Sequence, residues 1–349
     1  MKAKPIDPNL ISRISQKEKF EESAIEKVLW ISRILEYFMN TKLKKEFALM
    51  GGSAIAFLYE KVYRLSLDID LDYVGNPGLG KGGSDEIQQV QERHLESIKD
   101  IAKSLGLKVM VEPRKDPRFL QIHLQFPSIY GMKPSIDLDL GYRYCHSVLD
   151  LQEKEWPKTF VPSINDKSVN TFTVFTLAPE ELWASKIVAT IGGERIDFEG
   201  KTFLGSKNKI RHLYDVYYFV KEILTKEHNI DLNLLKKIVV LFGATRIDQF
   251  EFFRGDLITT YNYEDVDYEL FPILKKTQTI PELQSMKREV RYFLDKNIYN
   301  WGKKEYRFFE DFSARLFRPE DLFGKGKLSN RLKKMYYYDE ILGNVQKRK

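Results

Sequence analysis

The sequence predicts an α+β chain in which a mixed sheet flanked by helices is followed by an all-α helical bundle. Three observations carry this. Up to about residue 175, short runs of apolar, β-branched and aromatic residues alternate with amphipathic segments. Two of the short runs, 64–72 and 135–140, alternate acids with apolar residues at period two, the signature of half-buried strands. From Pro179 onward helical spacing takes over and no convincing strand remains. The shift divides the chain into a core domain, 1–175, and a helical domain, 176–349.

Taken in order, residues 16–45 read as one long helix, because Ile25, Val28, Leu29, Leu35, Phe38 and Met39 recur at helical spacing, with Ser32 as a polar gap. Residues 47–50 form an apolar strand that runs into the turn Gly51-Gly52-Ser53 and a helix over 54–59. The acidic strand 64–72 follows, then a glycine-rich loop over 75–84. A helix over 86–105 is carried by Ile87, Val90, Leu95, Ile98 and Ile101. Strands are expected at 107–112, 119–126, 135–140 and 171–177. Pro179 suits the first turn of a helix, and 179–192, 208–225, 232–242, 281–296 and 303–316 read as helices.

Composition bounds the function. The 349 residues are 43% hydrophobic and 30% charged, which supports sizeable cores in a globular chain. A single cysteine, Cys145, excludes an internal disulfide and a cysteine-built zinc site. The first twenty residues have no apolar signal-peptide core, and no run is long enough to span a bilayer, so a cytoplasmic protein is expected. The net charge of +6 is matched by the segment 325–349, where eight basic residues face two acids. That segment reads as a solvated tail or as a contact for phosphate backbone, with Tyr336, Tyr337 and Tyr338 as stacking candidates.

The chemistry concentrates in the first acidic strand. Asp68, Asp70 and Asp72 share one face, and Leu67, Ile69 and Leu71 share the other. Neighbouring carboxylates repel and resist desolvation unless a cation neutralises them. A Gly-Ser turn beside them offers backbone N–H groups to phosphate, and hard carboxylates suit Mg²⁺. The second acidic strand offers Asp137 or Asp139 as a third acid. Two-metal phosphoryl transfer needs such a bracket of carboxylates. Further on, Lys186 lies at the margin of the stripe Trp183, Ile187 and Ile191, where its stem can be buried and its ammonium presented to a cleft. Arg211 and Asp215 are four residues apart on a helix flank; as a plain ion pair they would add about 0.2–0.5 kcal/mol.

Two other readings use different residues. Gly75-Asn76-Pro77-Gly78-Leu79-Gly80-Lys81 fits the P-loop spacing between a strand and a helix, but Gly82 stands where a Mg²⁺-holding Ser or Thr belongs, and Pro77 interrupts the wrapping turn. A catalytically inactive nucleic-acid-binding protein would keep the fold and the basic tail, but it gains nothing from the clustered acids. His94, His123, His146, His212 and His228 are scattered without a metal-binding i, i+4 pair, so His123 and His146 are read as structural.

Gly51-Gly52-Ser53-Ala54, followed by Arg64, Ser66 and Asp68-Ile69-Asp70-Leu71, resembles the opening motif of the AbiEii/AbiGii-type nucleotidyltransferases. These are toxins of type IV toxin–antitoxin systems within the DNA polymerase β-like superfamily. Glu180-Glu181-Leu182-Trp183-Ala184-Ser185-Lys186 resembles the family's lysine helix, and Arg211-His212-Leu213-Tyr214-Asp215 its arginine–aspartate motif. Phe317-Arg318-Pro319-Glu320-Asp321-Leu322-Phe323, with Arg331-Leu332, is similar to a weaker C-terminal pattern. The resemblance implies a nucleotidyltransferase-type sheet and Mg²⁺-dependent (or Mn²⁺-dependent) transfer of NMP from an NTP. It implies that Gly52, Ser53, Arg64 and Ser66 lie on the nucleotide and that Asp68, Asp70 and Asp139 bind metal, Asp139 being favoured over Asp137 by Arg143. It further implies that Lys186 contacts the triphosphate and that Arg211 and Asp215 complete the site. An RNA acceptor, particularly a tRNA 3′ end, and a cognate antitoxin are the partners it implies, with no membrane.

Overall fold

The structure, a computed structural model, describes residues 5–58, 63–76, 79, 84–113, 118–130, 134–156, 171–191, 194–196, 202–204, 210–223, 230–246, 261, 266, 269–314 and 316–334. The glycine-rich P-loop-like segment lies largely outside these residues, as does the basic tail with its three tyrosines. The chain divides into two compact units. The first is built mainly on Met1–Ala178 with Ile273–Gln278, the second mainly on Pro179–Pro272 and Thr279–Lys333.

The first unit opens with α1 (Pro8–Glu18) and α2 (Glu22–Met39), where one continuous helix was expected over 16–45. The break has a local cause. Lys19 adopts the left-handed region (φ 64°) and its N–H caps Ser15, while the Ser15 hydroxyl donates to the Phe20 carbonyl at 2.6 Å. This turns the chain so that Phe20 is fully buried. A short 3₁₀ turn, Lys42–Lys45, is capped by Thr41 and leads into the sheet.

The sheet comprises β1 (Phe47–Leu49), β2 (Ile69–Tyr73), β3 (Lys108–Val111), β4 (Phe119–Gln125), β5 (Ser135–Gly141), β6 (Gln152–Trp156) and β7 (Phe172–Thr176). Its order is β3-β4-β5-β2-β1-β7-β6. The pairs β2/β5 and β1/β7 are parallel and the others antiparallel, so it is a mixed sheet as expected. Two further helices belong to this unit: α3 (Gly51–Leu58), which starts directly after β1, and α4 (Ser84–Leu105). Strand β6 was not anticipated. Its sequence Gln-Glu-Lys-Glu-Trp belongs to one of the two edge strands among the described residues, whose solvated face carries charge instead of apolar alternation. Trp156 at its end donates from Nε1 to the Ser32 hydroxyl at 3.1 Å, which accounts for the polar gap in the α2 stripe.

The core sits around the centre of the sheet. Phe47 is fully buried, with Phe38, Tyr73 and His94 rings at 5.6, 5.6 and 5.0 Å. His94 is buried with Nδ1 2.9 Å from the Tyr142 hydroxyl and Nε2 2.9 Å from Glu46; burial pushes its pKa down. From far along the chain, the Ile273 carbonyl accepts from Leu65 N–H at 2.8 Å and Lys276 N–H donates to Lys19 at 2.7 Å. Residues 273–278, which the sequence places in the helical domain, therefore brace the start of the acidic strand.

The second unit contains α5 (Pro179–Ile191), α6 (Ile210–Tyr218), which continues into a π turn over Phe219–Ile223, and α7 (Leu232–Arg246). Helices Leu283–Phe293, Lys303–Ser313, Pro319–Phe323 and Lys327–Lys334 follow. Trp183 stacks on Phe219 at 4.4 Å in its core. The expectation of no strand here is corrected by a two-stranded antiparallel sheet, β8 (Glu194–Ile196) with β9 (Thr202–Leu204). Strands of three residues are too short to show a period-two pattern. No helix among the described residues is long and apolar enough to cross a membrane.

Replacing the central ring, Phe47→Ala, should lower unfolding free energy by about 3–5 kcal/mol in urea denaturation, the usual loss for emptying an aromatic site in a packed core.

Candidate nucleotidyl-transfer site

The site begins where β1 hands over to α3 in a single residue. Met50 N–H donates to the Asp70 carbonyl at 2.9 Å, which holds the end of β1 against β2. Gly51 then takes φ +64°. A Cβ on Gly51 would stand 1.9 Å from Asp70 Oδ2, so glycine is required by both backbone and space. The next N–H, of Gly52, donates to Asp70 Oδ2 at 3.3 Å. Asp70 thus faces the N-terminal end of α3, where helix dipole and amide groups favour negative charge. The Gly-Gly-Ser segment is accordingly the first turn of a helix, not a separate loop.

Three side chains expected on the nucleotide pack against this turn. The Ser53 hydroxyl donates to the Asp68 carbonyl at 2.5 Å and the residue is fully buried, so its side chain is committed to the backbone. Arg64 is 1% exposed and its Nη1 donates to the Leu65 carbonyl at 2.7 Å. Ser66 is 4% exposed. A Cβ on Gly52 would stand 2.7 Å from Ser66 Oγ and 3.0 Å from Arg64 Nη2, so both side chains pack directly behind the turn. The Ser53, Arg64 and Ser66 side chains thus back the turn from behind, and the Gly52 N–H is taken by Asp70.

The acids come together through the sheet. Asp68 lies in a bend just before β2, and Asp70 lies within it. The parallel register pairs Asp70 with Asp139 of β5, so two carboxylates sit side by side on neighbouring strands. Burial pushes the Asp139 carboxyl up to about 7, and the charges of Asp70, Asp68 and then Asp137 push the same way; the Gln121 hydrogen bond opposes them. Gln121 Nε2 donates to Asp139 Oδ1 at 2.9 Å. Asp137 is drawn elsewhere: its Oδ1 is 2.7 Å from His123 Nδ1, and His123 Nε2 is 2.9 Å from Glu112. The bond to Asp137 is the main cause that raises the His123 pKa, which marks the imidazole as a bridge between two carboxylates. Asp72, the third acid of the first acidic strand, is 7% exposed, with Oδ1 2.8 Å from where a Cβ on Gly141 would stand.

Among the described residues no group of three His, Cys, Asp or Glu side chains is placed to hold a metal ion. The donor set still fits Mg²⁺, which is commonly held by one or two carboxylates and completed by substrate phosphate oxygens and water. Cys145 is no competing nucleophile: it is buried, its thiol faces the Tyr142 carbonyl at 3.2 Å, and burial pushes that thiol up to about 12.

In the second unit, Lys186 on α5 forms a buried ion pair with Asp215 of α6 at 3.0 Å, with 8% and 0% side-chain exposure. Its Nζ also lies 3.4 Å from His212 Nδ1. Asp215 therefore takes Lys186 across the helix pair, an interaction that the i, i+4 spacing to Arg211 did not reveal. Arg211 is half-buried one residue before His212. Gln121 and His123 are the residues that the sequence reading passed over as site neighbours. Their signal was the alternation Leu120, Ile122, Leu124 against Gln121, His123, Gln125, but only the β4/β5 register shows that this polar face meets the acids.

The family model of the AbiEii nucleotidyl transferase toxin, type IV toxin–antitoxin system, matches residues 33–314. No curated protein matches the chain. Among solved structures, the nucleotidyltransferase toxin MenT4 of Mycobacterium tuberculosis H37Rv is similar in fold, with TM-score 0.59 and 15% identity over 95% of this chain and 99% of that one.

Two outcomes follow from the geometry. Gly51→Ala must displace the Asp70 carboxylate by more than an ångström, which should lower catalytic turnover by about a hundredfold. In metal-free buffer, the folded chain holds the Asp139 proton up to about pH 7, whereas an ordinary aspartate releases it near 3.8. Between these values the native state binds the extra proton, so this group's contribution to stability falls as pH rises. Thermal melting in a chelator at pH 5 and 8 should show a smaller decline for Asp139→Asn than for wild type, and equal declines would contradict the assignment.

Proposed function

We propose, for a chain that belongs to the AbiEii family of nucleotidyl transferase toxins of type IV toxin–antitoxin systems, that it transfers a nucleoside monophosphate from an NTP to an acceptor hydroxyl, with Mg²⁺ or Mn²⁺ held by Asp68, Asp70 and Asp139. The observation that carries this reading is the register of Asp70 against Asp139 beside the N-terminal turn of α3. That arrangement joins acids in need of a cation to amides suited to phosphate. A bound divalent ion would supply charge neutralisation and Lewis-acid polarisation at phosphate oxygen.

The chain's own groups do the rest. Gly52 N–H holds Asp70 in place, and the first-turn amides of α3 favour an anionic phosphate there. Asp139 must be ionised to accept a proton, and neutralisation of the neighbouring Asp68 and Asp70 charges favours the ionised form. The acceptor hydroxyl then gives its proton to Asp139 as its oxygen bonds to the α-phosphorus. The bond from the α-phosphorus to the bridging oxygen breaks in line, and pyrophosphate leaves with that oxygen. Lys186 is assigned to the triphosphate charge, a role carried by its motif. The acceptor assigned here is RNA, with a tRNA 3′ end foremost, on the strength of the family and of the basic segment 325–349. A cognate antitoxin follows from the type IV assignment.

Incubation with each α-labelled NTP and total RNA tests the reading. Wild type should label RNA with one or more nucleotides, and Asp68→Ala/Asp70→Ala should abolish the label. Asp139→Asn should lose about 10²–10⁴-fold, the usual loss with a general base, while Asp137→Asn stays near wild type. Absence of label with wild type would sink the proposed transfer. Growth inhibition that survives Asp68→Asn would favour an inactive nucleic-acid-binding protein instead.

A further inference from the structure

The two acids of β5 share one face, as their spacing of two requires, yet the structure treats them differently. Opposite them on β4, the antiparallel register sets Gln121 against Asp139 and His123 against Asp137. His123 bridges Asp137 to Glu112, at 2.7 and 2.9 Å, and so ties that acid towards the outer strands. Gln121 Nε2 lies 2.9 Å from Asp139 Oδ1. An amide nitrogen can only donate, so this contact engages one carboxylate oxygen through a neutral hydrogen bond and adds no charge to a site that already carries three acids. Gln121 is half-buried between Leu120 and Ile122, both fully buried in the face beneath, which limits its own freedom.

We propose that Gln121 is a positioning residue of the transfer reaction: its side-chain amide fixes the Asp139 carboxylate by Oδ1 and reserves Oδ2 for the metal or the acceptor hydroxyl, while His123 removes Asp137 from competition. The inference rests on the transfer activity proposed above. A carboxylate on a strand can rotate about two side-chain bonds, and without a partner on Oδ1 it would divide its time between orientations facing Asp70 and orientations facing water. Outer hydrogen bonds of this kind set both the geometry and the basicity of a metal-binding side chain, and their loss typically costs about 10–100-fold in metal affinity or activity.

The test compares wild type with Gln121→Met, which keeps length and loses the donor, and Gln121→Asn, which keeps the amide and loses the reach. Three readouts are needed: melting temperature, kcat and KM for the NTP, and Mn²⁺ affinity by electron paramagnetic resonance without nucleotide. Both variants should melt as wild type, keep KM, and lose roughly tenfold or more in kcat and in Mn²⁺ affinity, within the range for outer-shell partners. If either folded variant keeps wild-type kcat and Mn²⁺ affinity, or changes KM alone, the positioning role is overturned. Should Gln121→Met fail to fold, Gln121→Asn, which suits a half-exposed face, decides the question. Absence of transfer by wild type would count against the proposed reaction instead, so the two failures remain distinct.

Discussion

The acidic face of the first unit answers to one electrostatic conflict: Asp70 and Asp139 are paired on adjacent parallel strands. Two unit charges about 5 Å apart at an effective dielectric of about 20 repel by roughly 3 kcal/mol. That is a large share of the roughly 5–15 kcal/mol by which a domain is stable. The fold relieves the conflict with separate devices for each acid. Asp70 is placed at the N-terminal turn of α3 and takes the Gly52 N–H. Asp139 holds its proton up to about pH 7 and takes the Gln121 amide. Asp137 is led away by His123. These three acids are tolerable within one sheet face because each has a different partner.

The same conflict explains the shape of the β1–α3 junction. For an amide to reach Asp70, the helix must begin on the residue after Met50, and the carboxylate must approach the backbone at Gly51 more closely than any Cβ allows. Arg64 and Ser66 then fill the space behind Gly52. Residues of a linear motif can thus also pack behind the turn that the motif builds. The Ser53, Arg64 and Ser66 side chains back the turn, and its Gly52 amide meets the Asp70 carboxylate.

Legibility in the sequence followed the strength of the local signal. The acidic strands and α4 were readable because a period of two or 3.6 persists over many residues. The break at Lys19 was not, because a lysine in the left-handed region carries no composition signal, and the stripe from Ile25 onward gives no hint of where its helix starts. Strand β6 was invisible because its charged face belongs to an outer strand, and β8 and β9 because three residues make no pattern. At the site, the acids could be named from spacing alone, whereas the choice between Asp137 and Asp139 could not. That choice depends on which strand lies beside β2 and in what register, and on His123 and Gln121 across β4. Long-range register is a property of the folded sheet, and no window of sequence contains it.

The second unit poses the converse question, of a charge buried without evident need. Lys186 and Asp215 form a pair almost wholly removed from water, in a core where Trp183 stacks on Phe219. Desolvating two ions costs several kcal/mol each, and well-packed apolar side chains of similar volume commonly serve stability as well or better. Stability alone is therefore a poor reason for such a pair. What the geometry does show is position: Asp215 at 3.0 Å and His212 at 3.4 Å hold the Lys186 ammonium between α5 and α6. On that argument Asp215 stands to Lys186 as Gln121 stands to Asp139: in each half of the chain, a second side chain fixes the position of an ionisable one.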